Sequence, residues 1–340
     1  MATPSSLHER ARRLPRDFAW LAVLINAALF VSGTVVQLMP ILIASEAVRS
    51  LYAKPGMWLP MLSHAAMAWL LASALAWSHA RNALEERGAA SLARILSPGS
   101  RFALAYLAVQ LVNRFALSPL LYVLQQLLMP DGVPREPSDI HTMRVWTMVV
   151  WPTIQLAVLV LSVWFAAWFA FRKGGRVVPV VAPSDAAPSD AATATSPRRA
   201  VALLVAAVFA SLQAWSAAVV GQWTDAVHLM SNAVLVLTWI VLPLVAFALA
   251  FCGGWLGADA GLSRVRPFSA VAASVWAFVQ LQVICFLAGL AWVVLAIRFP
   301  SVLGDIAGLI VFVAVFALLY MALAVLLVRA ALRRRYRRYL

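Results

Sequence analysis

Long apolar stretches alternate with short polar segments along the whole chain. Eight of them reach the roughly 20 residues that a helix needs to cross a bilayer: 18–44, 57–80, 101–128, 143–171, 201–220, 229–251, 269–297 and 304–328. Backbone groups in lipid must be hydrogen-bonded internally, and the alternation of a membrane barrel is absent, so each stretch is predicted to be a helix. The first stretch is too long for a cleaved signal peptide. The pattern predicts an all-α, polytopic integral membrane protein with eight transmembrane helices.

A polar segment near the middle of the chain separates the stretches into two sets of four. Residues 173–200 are rich in Pro, Ser, Ala and Thr, and Ala182–Ala186 is repeated at once as Ala187–Ala191. This composition is typical of a flexible linker. The sequence therefore predicts a cytoplasmic N-terminal segment, a four-helix half, the linker, a second four-helix half and a basic tail, at 1–17, 18–172, 173–200, 201–328 and 329–340.

The two halves share a weak similarity that indicates a parallel internal repeat. When the chain is shifted by 170 residues, nine of the 32 residues at 92–123 are identical to those at 262–293. The matched segments hold the third and seventh stretches, as duplication of a four-helix unit requires. The other pairs of stretches have no such match, so chance similarity between apolar segments stays open as an explanation.

Composition and charge define where these helices lie. Hydrophobic residues make up 64% of the chain and charged residues 12%, which excludes a soluble globular protein. With the N-terminus inside, 21 basic residues fall in inner segments and five in outer segments, so both termini are predicted to be cytoplasmic. Of the 27 basic residues 25 are Arg, a bias typical of a GC-rich bacterial genome. We therefore expect a multi-pass protein of the bacterial inner membrane.

The basic tail at Arg333–Arg338 has two interpretations. It could bind nucleic acid, or it could bind anionic lipid at the cytoplasmic face. Because it directly follows an apolar stretch, we interpret it as a topology anchor. The expected partners are then membrane lipids and an anionic small molecule, and no nucleic acid.

The thirteen acidic residues all lie in loops or at the borders of apolar stretches. A proton relay or an intramembrane aspartyl protease usually needs a carboxyl group at depth, so both classes are disfavoured. The motifs HExxH, GxSxG and the P-loop are also absent. Acids and His141 in the outer loop 129–142 lack metal-ligand spacing. The sequence therefore predicts no metal site, no cofactor and no catalytic residue.

The third stretch carries the strongest candidate for a ligand-binding site. One face of its helix collects five polar side chains: Gln110, Asn113, Arg114, Ser118 and Gln125. Arg114 lies about 20 Å along the helix from the inner border, which places it near the middle of the bilayer. An arginine at this depth costs roughly 2.5–3.5 kcal/mol. Either this face lines a cavity in which Arg114 holds a carboxylate or phosphate, or Arg114 bonds the polar face of a neighbouring helix. Gln280 stands at the repeat-equivalent position of Gln110 and joins the predicted polar lining.

Two further sets of residues have open interpretations. His64 and His228, near predicted outer ends, could ligate haem or a metal or act in acid–base chemistry. Isolated histidines in membrane helices more often make one interhelical hydrogen bond. Three prolines within the stretches are interpreted as static kinks, or alternatively as hinges of a moving transporter: Pro119, Pro152 and Pro243.

These features together favour a non-enzymatic membrane protein that binds or transports an anionic amphiphile or lipid-like molecule. Arg114 would anchor the ligand, and Gln110, Asn113 and Gln280 would supply the polar lining. One alternative is a non-catalytic assembly or scaffold subunit whose polar face meets a partner helix. Another is a membrane enzyme that acts on lipid-linked substrates at the outer face through its two outer histidines.

Overall fold

The structure, a computed structural model, describes residues 4–87, 95, 97–128, 145–172, 197–223, 231–259, 262, 264–299 and 306–337. Of these residues 94% are helical and none forms a strand. Eight helices are long and apolar enough to cross a membrane. The all-α class is therefore confirmed, and eight helices have the length and composition that the predicted transmembrane helices require.

Eleven α-helical segments make up this framework in the described residues: α1 Pro4–Ala44, α2 Glu46–Tyr52, α3 Pro55–Arg87, α4 Pro98–Val112, α5 Ser118–Leu128, α6 Trp151–Phe171, α7 Pro197–Trp223, α8 Asn232–Val236, α9 Leu242–Gly257, α10 Pro267–Arg298 and α11 Ile306–Tyr336. A π-helical turn at Asn113–Leu117 joins α4 to α5 without a break. A second at Trp146–Val150 precedes α6, and a third at Leu237–Val241 joins α8 to α9.

A proline follows each π turn at the same distance. Pro119, Pro152 and Pro243 each lie two residues beyond the last residue of a π turn. A proline inside a helix has no N–H to donate, and its ring clashes with the carbonyl four residues earlier. Widening the turn that holds this carbonyl relieves the clash, which accounts for the position of all three π turns.

Helix α3 continues well beyond its apolar stretch, to Arg87. Its last turns are polar and are bonded along the helix, where Nε of Arg81 lies 2.7 Å from a carboxylate oxygen of Glu85. The sequence also permits a short surface helix at 82–97, and 82–87 instead form the end of α3. Residues 88–94 and 96 lie outside the described residues.

The chain divides into two compact units. The first comprises Met1–Ala194 and Gln213–Pro243, and the second comprises Thr195–Leu212 and Leu244–Leu340. These bounds differ from those of the predicted four-helix halves, because 213–243 group with the first unit. The two halves and the internal repeat stay predictions, and 173–196 of the predicted linker lie outside the described residues.

The first unit is centred on an aromatic stack. Helices α1 and α6 both pack against α3 and α4. The ring centroids of Phe18 and Phe102 are 4.3 Å apart, those of Phe102 and Tyr106 are 5.7 Å apart, and Phe171 lies 5.8 Å from Phe18. All four side chains are buried. Because large aromatic side chains dominate the packing energy of a core, this stack fixes α1, α4 and α6 against one another.

The second unit is built around the first half of α7. Residues 204–212 are buried on every side, as expected for a helix that is apolar all round. A Cβ added to Gly254 on α9 would lie 3.0 Å from the Cα of Ala202, so these two helices meet at backbone distance. On α10, Ser274 Oγ donates a 3.0 Å hydrogen bond to the carbonyl of Val205.

Candidate ligand-binding site

Arg114 lies half-buried in the π turn between α4 and α5. Its Nη1 donates a 2.9 Å hydrogen bond to the carbonyl oxygen of Leu29 on α1. The same oxygen also accepts a 3.1 Å hydrogen bond from Ser32 Oγ. The guanidinium is therefore held against α1 by one main-chain acceptor that it shares with another donor.

Gly33 provides the space that the guanidinium occupies. A Cβ added at this position would lie 2.9 Å from Nη1 and 3.0 Å from the guanidinium carbon of Arg114. Real Cβ atoms essentially never approach this closely, so any larger residue here must displace the guanidinium. A glycine within a helix costs about 1 kcal/mol relative to alanine, and accommodation of Arg114 offers a physical reason for it.

A cavity of about 440 Å³ lies next to this contact. Its wall is mostly one face of α1, with contributions from α2, α3 and Arg114, and the lining residues are Leu29, Phe30, Gly33, Thr34, Gln37, Leu38, Ile41, Tyr52, Met61 and Arg114. The residues from α1 recur every three to four positions, which places them on one side of a helix. Their span from 29 to 41 corresponds to roughly 18 Å along the helix axis.

The lining of this cavity is chemically divided. Arg114 is its one charged residue among the described residues, and Thr34 and Gln37 add polar groups one turn apart on α1. The rest of the wall is mainly aliphatic and aromatic. Within the described part of the chain Arg114 makes no ion pair. Among the described residues, the cavity therefore combines one positive charge that has no ion pair with a long apolar surface.

Gln110 and Asn113 face a different neighbour from Arg114. Gln110 Nε2 donates a 3.0 Å hydrogen bond to Ser162 Oγ on α6, and Asn113 Nδ2 donates a 2.8 Å hydrogen bond to Oε1 of Gln155. Gln155 in turn donates a 3.4 Å hydrogen bond to Ser118 Oγ. These polar side chains of the third span form a connection to α6, while Arg114 points to α1.

Tyr106 extends this polar connection toward α1. Asn26 Nδ2 on α1 donates hydrogen bonds of 2.7 Å to the Tyr106 hydroxyl and to the carbonyl of Ala22. Gln110, one turn further along α4, donates to Ser162 on α6. Tyr106 and Gln110 together thereby connect α4 to α1 and to α6 on the N-terminal side of Arg114.

The remaining predicted residues are separate from these contacts. Gln280 belongs to the second unit, where it is half-buried on α10. Direct ligand binding by Gln110, Asn113 and Gln280 stays a prediction from sequence. His64 is exposed on α3, and His228 and the outer loop 129–142 lie outside the described residues. The described residues contain no group of three His, Cys, Asp or Glu side chains that could hold a metal ion.

Sequence reasoning missed the part of the site that α1 supplies. Gly33, Thr34 and Gln37 lie at helical spacing within a mostly apolar stretch, so they share one face of α1. That spacing was the available signal. It did not identify α1 as the neighbour of Arg114, because a pattern along one helix does not specify which helix it packs against.

Comparisons of this chain with protein-family models, with curated proteins and with solved structures find no match.

Proposed function

We propose that this protein binds an anionic amphiphile within the membrane, with the acidic headgroup on Arg114 and the apolar part along α1. One observation carries the proposal. A guanidinium lines a cavity, donates to a single carbonyl oxygen and has no ion pair among the described residues. We further expect, from the basic-residue count, that the cavity lies in the outer half of the bacterial inner membrane.

The hydrogen-bonding capacity of Arg114 supports an anionic ligand. A guanidinium has five N–H donors in a fixed fork and stays charged in proteins. The bond to Leu29 uses one of these donors. A carboxylate or phosphate accepts two parallel bonds from such a fork and supplies the missing negative charge. A bound anion would thus offset the cost of keeping this side chain at depth.

The rest of the wall supports a ligand with an apolar part. Most of the lining is apolar, and ligand sites commonly combine such a surface with a few polar groups that fix orientation. The cavity volume of about 440 Å³ falls within the usual range for small-molecule sites, about 300–1,000 Å³. In this proposal Thr34 and Gln37 bond the polar groups of the head, and the side chains of Leu38 and Ile41 contact the chain.

In this proposal Gln110 and Asn113 position the helix that carries Arg114 and do not contact the ligand. Their bonds to Ser162 and Gln155 connect the third span to α6. This leaves Arg114 as the polar side chain of the third span that is directed to the cavity. We assign the two amides a positioning role and Arg114 the ligand contact.

Mass spectrometry of the molecules retained by the purified full-length protein tests the proposal. The wild type should retain an anionic amphiphile through purification in mild detergent, and Arg114→Leu should lose it. Gly33→Ala keeps the charge but displaces the guanidinium, so it should lose the same molecule. A lost hydrogen bond to a charged group is worth about 1.5–3 kcal/mol, which predicts affinity weaker by roughly tenfold or more.

Arg298→Leu is the matched control, because it removes an exposed arginine of the second unit that has no part in this cavity. It should retain the same molecule as the wild type. Identical retention by the wild type, Arg114→Leu and Gly33→Ala would refute the proposal. Copurification of one protein in stoichiometric amount, with no bound amphiphile, would favour the scaffold alternative instead.

A further inference from the structure

Four helix ends of the second unit meet at one place. Helix α7 begins there at Pro197, and α9 ends there at Gly257. Arg198 joins the two, because its Nε donates a 2.7 Å hydrogen bond to the carbonyl of Trp255. Its guanidinium carbon also lies 4.5 Å from the centroid of the Trp255 ring, within the range of a cation–π contact.

The start of α10 and the end of α11 belong to the same cluster of helix ends. The buried Tyr336 donates a 3.1 Å hydrogen bond from its hydroxyl to the carbonyl of Arg266. A Cβ added to Gly257 would lie 3.0 Å from the Cα of Arg329, so α9 and α11 approach at backbone distance. These contacts hold the last turns of α11 in place beside α9 and α10.

This end of the unit carries a dense positive charge. We call it the arginine rim, and its described members are Arg198, Arg199, Arg264, Arg266, Arg329, Arg333, Arg334, Arg335 and Arg337. Asp259 is the one described acid in the same region. Arg329 has a buried Nε without a hydrogen-bond partner among the described residues. The rim therefore has far more positive charge than its own acid can balance.

Exposed apolar side chains adjoin the rim. Phe268 lies two residues after Arg266 and is 49% exposed, and Leu256 is 49% exposed at the end of α9. Leu326, one turn before Arg329, is 54% exposed. Two of these three side chains are aliphatic. A surface for single-stranded nucleic acid stacks bases on aromatic side chains, whereas a basic surface beside exposed aliphatic and aromatic side chains is typical of lipid binding.

We propose that the arginine rim binds the phosphate groups of anionic phospholipids, with their acyl chains along the exposed apolar side chains next to it. This inference rests on the second unit alone and does not depend on the ligand of Arg114. The packing around Tyr336 and Gly257 fixes the helix that carries four members of the rim, so the arginines of α11 keep a defined spacing. A fixed set of guanidinium groups can bond phosphate oxygens directly, in addition to attracting a charged surface.

The test uses the full-length protein in neutral detergent with added phosphatidylglycerol, cardiolipin or phosphatidylcholine. Thermal unfolding and native mass spectrometry report binding. Each arginine near an anionic surface contributes about fivefold in affinity, so Arg264→Gln/Arg266→Gln/Arg333→Gln should bind anionic lipid roughly 100-fold more weakly. All three are exposed, and this variant should fold like the wild type without lipid. Arg329→Gln alone should weaken binding about fivefold.

The control variant Arg12→Gln/Arg16→Gln/Arg298→Gln removes three exposed arginines outside the rim. It should keep wild-type lipid binding, and an equal loss in this variant would overturn the proposal. So would an equal effect of phosphatidylcholine, or a matching shift produced by a short oligonucleotide. Tighter binding of cardiolipin than of phosphatidylglycerol would support a site for two phosphates, and equal binding would support a site for one.

Discussion

Glycine serves opposite purposes in the two units. In the second unit Gly253 and Gly254 let neighbouring helices approach, since an added Cβ would lie 2.7 Å from the Val325 carbonyl and 3.0 Å from the Ala202 Cα. In the first unit Gly33 makes room for the guanidinium of Arg114 beside a cavity. The glycines of the second unit allow helices to pack at backbone distance. The glycine of the first unit leaves space for a charged side chain between helices. A small residue in an apolar stretch therefore has no fixed meaning until its neighbour is known.

The largest expected effect concerns the glycines of the second unit. Gly253→Ala/Gly254→Ala should lower the free energy of unfolding by about 1–3 kcal/mol or more, because backbone atoms cannot move aside for the added methyl groups. Reversible unfolding in detergent measures this change. Gly289→Ala is the control, since nothing lies within 4 Å of a Cβ there, and it should leave stability equal or slightly higher. Equal destabilisation by both variants would contradict the backbone contact.

Tyr106→Phe should lower the free energy of unfolding by less, by about 1 kcal/mol. The change removes a buried hydroxyl and leaves Asn26 on α1 with one acceptor fewer. Stability by the same unfolding measurement checks the loss. Tyr122→Phe, on an exposed position of α5, is the control and should be neutral.

A double-mutant cycle of Asn113→Ala and Gln155→Ala should give a coupling of about 0.6 kcal/mol, the usual size for interhelical hydrogen bonds in membranes. The cycle isolates the 2.8 Å bond between the two amides from the effect of each truncation. A coupling near zero would mean that Asn113 does not tie α4 to α6, which would reopen a direct ligand role for it.

Gly33→Ala should change stability least, within about 0.5 kcal/mol. The added methyl meets the far end of a flexible side chain, and the helix gains about 1 kcal/mol from alanine while the bond between Arg114 and Leu29 is lost. Its effect should fall on ligand retention. A stability loss as large as that of the Gly253→Ala/Gly254→Ala variant would mean that the guanidinium is fixed packing, and the contrast between the units would fail.

Much of the fold follows directly from the sequence. The eight apolar stretches match eight helices, because length and hydropathy alone decide whether a segment can cross a bilayer. The prolines at 119, 152 and 243 each follow a π turn, but Pro40 and Pro60 lie inside α1 and α3 without one, so a proline alone does not locate such a turn. The helix ends differ most, because polar end turns such as those of α3 lie beyond the apolar stretch and yet stay helical.

The candidate site follows from the sequence only in part. Arg114 was identifiable by its cost in lipid, a property of one residue. A helical wheel of the third span places Gln110 and Asn113 on the same face as Arg114. In the structure the two amides bond α6 and the arginine bonds α1. A wheel assumes a regular helix and assigns no neighbours. Both the π turn and the partner helices are decided by packing, which a single sequence leaves open.

The π turn before Pro119 amounts to one surplus residue in a helix. Successive residues of an α-helix advance by about 100°, and the wider turn takes up the surplus residue so that the helical segments on either side keep nearly the phase of a continuous helix. A gene with one codon fewer between 113 and 117 would encode a chain with almost the same hydropathy profile and charge. It would close the wide turn into a regular one, and the guanidinium that this turn carries would aim along another direction. In this protein the exact number of residues in one short segment therefore matters as much as the side chains that the segment carries.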